Sequence, residues 1–220
     1  MNSYSKIVEG NRYFKNTNHE FQSLVGGQHP SHVVIACSDS RVEPEKMTNA
    51  KLGQLFVVRV AGESIGENSL ASVEYAVKEL GVMSIIIICH TKCGAVTAAQ
   101  EILRKHSEIR IEKNSALYKS VKKISRTLAK DPRNMADLRH AIIDNAWAQA
   151  EKLKRSSIVN EARKRGLKIR VAIYNIENGE IKFLHSTHKE HSRLEDYRTA
   201  VGTIPRWMMG KIHTRADKGG

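Results

Sequence analysis

The chain has 220 residues, of which 40% are hydrophobic, and this length suffices for one domain with a full apolar core. Its net charge is +13, and no run approaches the roughly 20 consecutive apolar residues that a membrane-spanning helix needs, which excludes an integral helical membrane protein. The polar first residues lack the apolar core of a secretory signal, so we expect a cytoplasmic protein.

The first half of the chain alternates predicted helices with predicted strands. Apolar residues at helical spacing between Tyr4 and Leu24 predict two amphipathic helices. Pro44 suits the first turn of a short helix, because the N–H that proline lacks has no partner at that position in any case. The predicted strands are Val33–Cys37, Leu55–Val60 and Ser84–Cys89, and the longer predicted helices are Ser69–Leu80 and Gly94–Lys105.

The middle of the chain is predicted to be mostly helical, and it is strongly basic. Residues 101–170 hold nineteen basic and eight acidic side chains, whereas residues 1–100 hold nine of each. Such a segment is either a solvated surface or a site for nucleic acid or another anionic surface. Because the segment lacks the interleaved aromatic side chains that single-stranded nucleic acid favours, the solvated surface is the preferred interpretation.

The carboxyl-terminal part predicts a β-hairpin followed by a tail. Strands are predicted over Ile169–Ile176 and Ile181–His185, joined by a turn at residues 177–180. We expect one domain over residues 1–186, including the amino-terminal helices, and a basic, loosely attached tail over residues 187–220. The order of strands and helices predicts an α/β fold, with a mostly parallel sheet flanked by helices and one antiparallel edge strand.

Two predicted strands end in side chains that can bind a metal. The first strand ends at Cys37, which Ser-Asp-Ser-Arg follows, and the third strand is followed by His90 and, three residues later, Cys93. Open α/β folds hold their ligands at the carboxyl edge of the sheet, where such strand ends lie. Two thiolates and one imidazole suit zinc, and three protein ligands leave a fourth position open, as in catalytic zinc sites. The sequence therefore predicts a catalytic zinc site.

Neighbouring residues allow more than one interpretation. Cys89 precedes His90 in the strand and points to the opposite face, so we expect it to pack in the core. Asp39 and Arg41 are either an oriented carboxylate with its partner beside the ion or a structural ion pair that caps the next helix. Cys93 begins a helix, whose N–H groups and dipole favour a thiolate. Three cysteines cannot all pair within one chain, so metal binding or catalysis is favoured over a disulfide framework.

These motifs resemble those of the β-class carbonic anhydrases, with features of the plant-type branch. The resemblance rests on Cys-Ser-Asp-Ser-Arg at residues 37–41 with Pro44 after it, on residues 53–59, and on His-x-x-Cys-Gly at residues 90–94. It spans roughly residues 4–185. It implies the α/β fold of that family and a carbonic anhydrase, a lyase that reversibly hydrates carbon dioxide to bicarbonate and a proton.

The resemblance also implies a role for each matching position, with one zinc ion per chain and a zinc-bound hydroxide that an Asp-Arg dyad orients. The implied zinc ligands are Cys37, His90 and Cys93, the dyad is Asp39 and Arg41, and the substrate-binding residues are Gln28, Phe56, Tyr75 and Gly94. A homodimer, or a higher even oligomer, is implied as well, with pocket residues that reach across the interface.

The chain departs from the family pattern in the loop at residues 60–66. Val60 and Glu63 stand where the family commonly has asparagines, and these changes bear on the shape of the loop and on the finer substrate preference. Two other functions fit the same residues. One is hydrolysis of carbon disulfide or carbonyl sulfide by the same ligand set, and the other is a zinc-stapled module that binds nucleic acid through residues 101–170.

Overall fold

The structure is a computed structural model that describes residues 3–17, 21–104 and 111–185. The predicted tail at residues 187–220 and its boundary with the domain lie outside these residues. The helices are α1 (Ser3–Thr17), α2 (Phe21–Leu24), α3 (Pro44–Met47), α4 (Glu67–Lys78), α5 (Gly94–Arg104), α6 (Ala116–Leu128), α7 (Leu138–Lys154) and α8 (Ser157–Lys164). The strands are β1 (His32–Ala36), β2 (Leu55–Arg59), β3 (Ser84–His90), β4 (Lys168–Tyr174) and β5 (Ile181–Leu184).

The strands form one sheet in the order β2-β1-β3-β4-β5. The first four strands pair in parallel, and β5 pairs with β4 in the antiparallel direction. This arrangement confirms the predicted α/β class with its antiparallel edge strand. None of the helices in the described part of the chain has the length and hydropathy of a membrane span.

The sheet separates two apolar clusters because successive side chains of a strand point to opposite faces. The larger cluster contains Ile35, Ile85 and Ile87 and packs against helices, and the smaller one contains Val34 and Ile86 on the other face. All five of these side chains are buried. A strand that is buried on both faces has a continuous run of apolar residues, which is why these strands could be predicted from the sequence.

Local hydrogen bonds explain where the predicted boundaries were wrong. Helix α4 begins two residues before the predicted start because the Ser69 hydroxyl accepts from the Gly66 N–H, which caps the helix at Gly66. Strand β4 ends at Tyr174, earlier than predicted, because the Asn175 N–H bonds to the Glu180 carbonyl and closes the hairpin turn. Residues 61–63, predicted as loop, form a short 3₁₀ turn.

Candidate metal centre

Three potential metal ligands meet where the carboxyl ends of β1 and β3 adjoin. These strands are neighbours, and Ala36 pairs with Ile88, so Cys37 follows β1 at the level where β3 ends in His90. Lys92 adopts a left-handed conformation with φ of 58° between the end of β3 and the start of α5. This turn places Cys93 beside His90 instead of farther along the strand direction.

The geometry of this site suits zinc. The ligand atoms of Cys37, His90 and Cys93 all lie within 4.8 Å of one another. The two sulfurs are 3.9 Å apart. Zinc–sulfur bonds of about 2.3 Å in a tetrahedral arrangement place two sulfurs about 3.8 Å apart, so the pair needs almost no adjustment. All three residues are buried, with exposures of 4%, 0% and 1%.

Hydrogen bonds prepare His90 for a metal. Its Nδ1 lies 2.9 Å from the Thr91 carbonyl oxygen, which can only accept, so Nδ1 carries the proton. Nε2 is therefore the ring nitrogen with a free lone pair, and it is buried without a hydrogen-bond partner. Thr91 is itself fixed, because its N–H donates to the Tyr174 carbonyl and its hydroxyl accepts from the Ile176 N–H. An unpartnered buried nitrogen at this place fits a metal ligand.

The two thiols differ in the pKa that their surroundings impose. A hydrogen bond from the Cys93 thiol lowers the pKa of Cys37, and the Gly62 N–H, 3.2 Å from the Cys37 sulfur, lowers it further. The same sulfur–sulfur contact raises the pKa of Cys93, because a second thiolate so close to the first is disfavoured. The start of α5 acts in the opposite direction, because the Val96 N–H lowers the pKa of Cys93. A divalent cation between the sulfurs would favour both thiolates.

Asp39 and Arg41 form a two-pronged ion pair beside the ligands. Arg41 donates from Nε to Oδ1 at 2.9 Å and from its terminal nitrogen to Oδ2 at 2.7 Å, and its backbone N–H also reaches Oδ1. These bonds hold the pKa of the Asp39 carboxyl well below its usual range. Oδ2 lies 4.0 Å from the unpartnered Nε2 of His90. Helix α3 starts later, with Glu43 as its cap residue, so this pair does not cap it.

A second arginine anchors the same segment through its backbone. Arg59 donates to the carbonyl oxygens of Cys37 and Asp39, at 3.1 and 2.6 Å. Arg59 ends β2 and pairs in register with Ala36, so the edge strand supports the loop that carries the site. Arg59 has no role in the sequence analysis, although its place at the end of a strand is a signal that points to the site.

Helix α7 supports the site through a buried polar network that the sequence did not predict. Asn145 donates to the Gly62 carbonyl at 2.8 Å and to Oε1 of Glu63 at 2.7 Å, and it accepts from Gln149. Glu63 is fully buried, and its Oε2 has no hydrogen-bond partner. Burial, with the nearby Cys37 sulfur adding to it, raises the pKa of Glu63 to about 8. Glu63 thus places a buried carboxyl beside the site.

The residues expected to bind substrate occupy different surroundings. Phe56 and Tyr75 contact each other, with ring centroids 6.3 Å apart, and Tyr75 is 48% exposed. Gly94 follows Cys93 as the first residue of α5 and faces open space. Gln28 lies between α2 and β1 and is exposed. Cys89 lies in the core, as predicted, and its thiol donates to the Ala172 carbonyl.

A second group of possible ligands includes two residues of α7. Single ligand atoms of Asp131, His140 and Asp144 also lie within 4.8 Å of one another. Asp131 is already held by Arg133, with contacts down to 2.6 Å, and Asp144 accepts from Asn134 at 2.6 Å. Because these partners already satisfy the carboxylates, the first site is the better candidate for a metal.

Comparison with known proteins agrees with this geometry. The sequence model of the carbonic anhydrase family matches residues 32–181. A carbonic anhydrase of Pseudomonas aeruginosa is 34% identical over 206 residues, which cover 84% of this chain and 88% of the relative. The solved β-carbonic anhydrase CcaA superposes with a TM-score of 0.72 at 26% identity, over 84% of this chain and 96% of that chain.

A second solved structure shows the same fold. It is one of two tetrameric β-carbonic anhydrases of the filamentous ascomycete Sordaria macrospora, and it has a TM-score of 0.71 at 25% identity, over 84% of this chain and 98% of that chain. The family match, the sequence relative and the shared fold all cover the segment that carries the cysteines and the histidine. The chain therefore belongs to the β-class carbonic anhydrase family, whose members catalyse the hydration of carbon dioxide.

Proposed function

We propose that this chain hydrates carbon dioxide at a single zinc ion held by Cys37, His90 and Cys93. The unpartnered Nε2 of His90, aimed at two sulfurs 3.9 Å apart, is the observation that carries the proposal. Zinc in such a site acidifies a water that it binds and so supplies the nucleophile. The remaining chemistry belongs to the side chains around it.

Asp39 acts as a hydrogen-bond acceptor that orients the nucleophile. Arg41 keeps the Asp39 carboxyl ionised. Asp39 therefore accepts a hydrogen bond from the nucleophile without removing its proton. Arg41 occupies both carboxylate oxygens and holds Asp39 in one orientation. Asp39 thereby selects the direction from which carbon dioxide is attacked.

Gln28, Phe56, Tyr75 and Gly94 form the substrate pocket in this proposal. Phe56 and Tyr75 offer an apolar surface that suits uncharged carbon dioxide, and Gly94 leaves room beside Cys93. The Gln28 amide suits the oxygen that becomes negative in bicarbonate. Gln28 makes no hydrogen bond within the described residues of this chain, so we propose that it serves the site of a neighbouring subunit.

A homodimer or a larger even oligomer is part of this proposal. Strand β2 forms an edge of the sheet, and α1 exposes large apolar side chains, including Ile7 at 72% and Tyr13 at 73%. Edge strands and exposed apolar surfaces of this kind favour association with another chain. The tetrameric relatives from Sordaria macrospora are consistent with assembly.

We also propose that the protein works in the cytoplasm. All three cysteines are free and buried. The two in the site must stay reduced to bind a metal, and a reducing compartment maintains that state.

The test is a stopped-flow assay of carbon dioxide hydration on the zinc-loaded chain, with Asp39→Ala beside it. We expect hydration by the wild-type chain, and a loss of about 100-fold or more in kcat/KM for Asp39→Ala with the zinc content unchanged. Glu161→Ala is the control, because this exposed carboxylate on α8 pairs with Lys164 and Arg165 and takes no part in the metal centre. Equal activity of wild type and Asp39→Ala would refute the role of Asp39.

A second assay on the same samples distinguishes the substrate. Release of sulfide from carbon disulfide or carbonyl sulfide is measured at matched enzyme concentration. We expect carbon dioxide to be the better substrate, whereas sulfide release without hydration would assign the site to the sulfur substrates.

A further inference from the structure

Helices α6 and α7 border a cavity that the proposed reaction does not use. Its volume is about 530 Å³, which falls in the range typical of small-molecule sites. Its lining includes Ser64 and Gln149, on the side of the metal-site loop, and Trp147. The indole Nε1 of Trp147 is buried and has no hydrogen-bond partner in the described part of the chain.

Four cations line this cavity without carboxylate partners. Among the described residues, no carboxylate lies within ion-pair distance of Lys123, Lys130, Lys152 or Arg155. Burial lowers the pKa of Lys152, and the neighbouring charges of Lys123 and Arg155 lower it further. These charges therefore repel one another, and the fold itself does not compensate for their proximity.

The carboxylates of the cavity cancel only part of this charge. Asp131 is held by Arg133, and Glu151 pairs with Lys154 at 2.5 Å, and neither of these two cations lines the cavity. Asp144 accepts from Asn134, which is neutral, so Asp144 offsets one of the four cations. An excess of positive charge thus remains to attract an anion from solution.

We propose that this cavity binds a small phosphorylated anion. Lysine and arginine side chains are the usual partners of phosphate groups, and cations spread around a cavity suit a ligand with more than one negative group. The hydroxyl of Ser64 adds a donor to the same lining. The volume of about 530 Å³ suits a small molecule, and the lining lacks the row of aromatic side chains that a nucleic acid strand would stack on.

The cavity is connected to the metal centre by hydrogen bonds. The Lys152 ammonium donates to the Ile65 carbonyl, and Oε1 of Gln149 accepts from the Ile65 N–H at 2.9 Å. Gln149 also bonds to Asn145, which holds the Gly62 carbonyl, and the Gly62 N–H donates to the Cys37 sulfur. An anion that engages Lys152 therefore acts on the loop that supports Cys37.

Equilibrium dialysis with radiolabelled pyrophosphate, at fixed ionic strength and without added divalent cations, tests the binding site. We expect saturable binding to the full zinc-loaded chain and at least about tenfold weaker binding to the double variant Lys123→Gln/Arg155→Gln. The matched control is Lys119→Gln/Arg163→Gln, which removes two exposed cations that do not line the cavity. Absence of saturable binding, or equal weakening in both double variants, would overturn the proposal.

Competition for the pyrophosphate site in the same dialysis cell identifies the class of ligand. A nucleoside triphosphate should displace pyrophosphate, and a single-stranded oligonucleotide at equal phosphate concentration should not. Displacement by the oligonucleotide alone would assign the cations to nucleic acid and reject the small-molecule site. None of these outcomes depends on carbonic anhydrase activity, so the result is separate from that of the proposed function.

Hydrogen exchange tests the connection to the metal centre. We expect saturating pyrophosphate to slow exchange of the amides in residues 62–65 in the wild-type chain, and in Lys119→Gln/Arg163→Gln to the same extent. Unchanged exchange in the presence of bound pyrophosphate would show that the cavity and the loop are not connected.

Discussion

Glu63 is a buried carboxyl beside the metal centre. It is fully buried and keeps only one of its oxygens in a hydrogen bond. Its φ of 41° lies in the left-handed region, which bulky residues rarely adopt. The unpaired buried oxygen and the left-handed backbone both cost free energy. The surrounding structure must therefore hold Glu63 in place, and Asn145 contributes a hydrogen bond.

The raised pKa of Glu63 predicts a pH dependence of stability. The unfolded chain loses this proton near pH 4.5, whereas the folded chain keeps it up to about pH 8. The unfolded state is therefore favoured as the pH rises between these values, and the free energy of unfolding falls by up to about 5 kcal/mol. Glu63→Gln, which cannot ionise, should lack this fall in urea denaturation at pH 5 and pH 8.

The exposed variant Glu161→Gln serves as the control for Glu63→Gln and should retain the wild-type slope. Other titrating groups are common to all three chains and cancel in the comparison. Identical slopes for wild type and Glu63→Gln would mean that Glu63 ionises normally in the folded chain.

Among the elements, the 3₁₀ turn after β2 connects the sheet to the metal centre. Gly62 has φ of 63°, and a Cβ there would lie 2.9 Å from Cδ1 of Ile124 and 3.1 Å from Cβ of Ala95. The turn fits only because residue 62 lacks a side chain, and this close fit directs the Gly62 N–H to the Cys37 sulfur.

Gly62→Ala should therefore weaken both stability and metal binding. The left-handed backbone and the overpacking together cost about 2–4 kcal/mol in the free energy of unfolding. Displacement of the Gly62 N–H should lower zinc affinity by about 10–100-fold in competition with a chelator. Gly81→Ala is the matched control, since its φ is 68° but its Cβ would meet open space. It should cost about 1 kcal/mol and leave zinc affinity unchanged, and equal effects at both positions would contradict the packing argument.

The strand ends were predictable from the sequence because the chemistry there is local. Cys37 and the pair His90 and Cys93 each follow an apolar run, and parallel strands bring such ends to one edge. The support from α7 was not predictable, because Asn145 is separated from Glu63 by 82 residues and meets it only in the folded chain. Nothing in the local pattern around residue 145 distinguishes this asparagine from an ordinary polar residue on a helix.

For the molecule as a whole, the charge distribution of the sequence has a structural counterpart. The neutral first hundred residues carry the proposed catalytic groups, and the basic segment at residues 101–170 contributes the cations of the second cavity. Our proposal gives four of these basic residues a ligand, and the solvated surface stays a prediction for the rest of the segment. Catalysis and anion binding are thus proposed for separate regions that α7 connects.

The proposed ligand set predicts how activity depends on pH. Two thiolates neutralise a divalent cation, so water in the fourth position is less acidic than under three neutral imidazoles. We therefore expect kcat/KM for carbon dioxide hydration to rise into the alkaline range. Asp39 contributes nothing to this rise, because its depressed pKa keeps it ionised throughout. A profile already flat from about pH 6 upward would contradict the assigned ligands.

X-ray absorption spectroscopy at the zinc edge tests the metal centre most directly. In the zinc-loaded chain, Cys37, His90 and Cys93 predict one zinc per chain, with two sulfur neighbours at about 2.3 Å and two nitrogen or oxygen neighbours at about 2.0 Å. Cys37→Ser should lose one of the two sulfurs, and Cys89→Ser should keep both. A shell without sulfur, a shell with three sulfurs, or a spectrum that Cys37→Ser leaves unchanged would contradict the site.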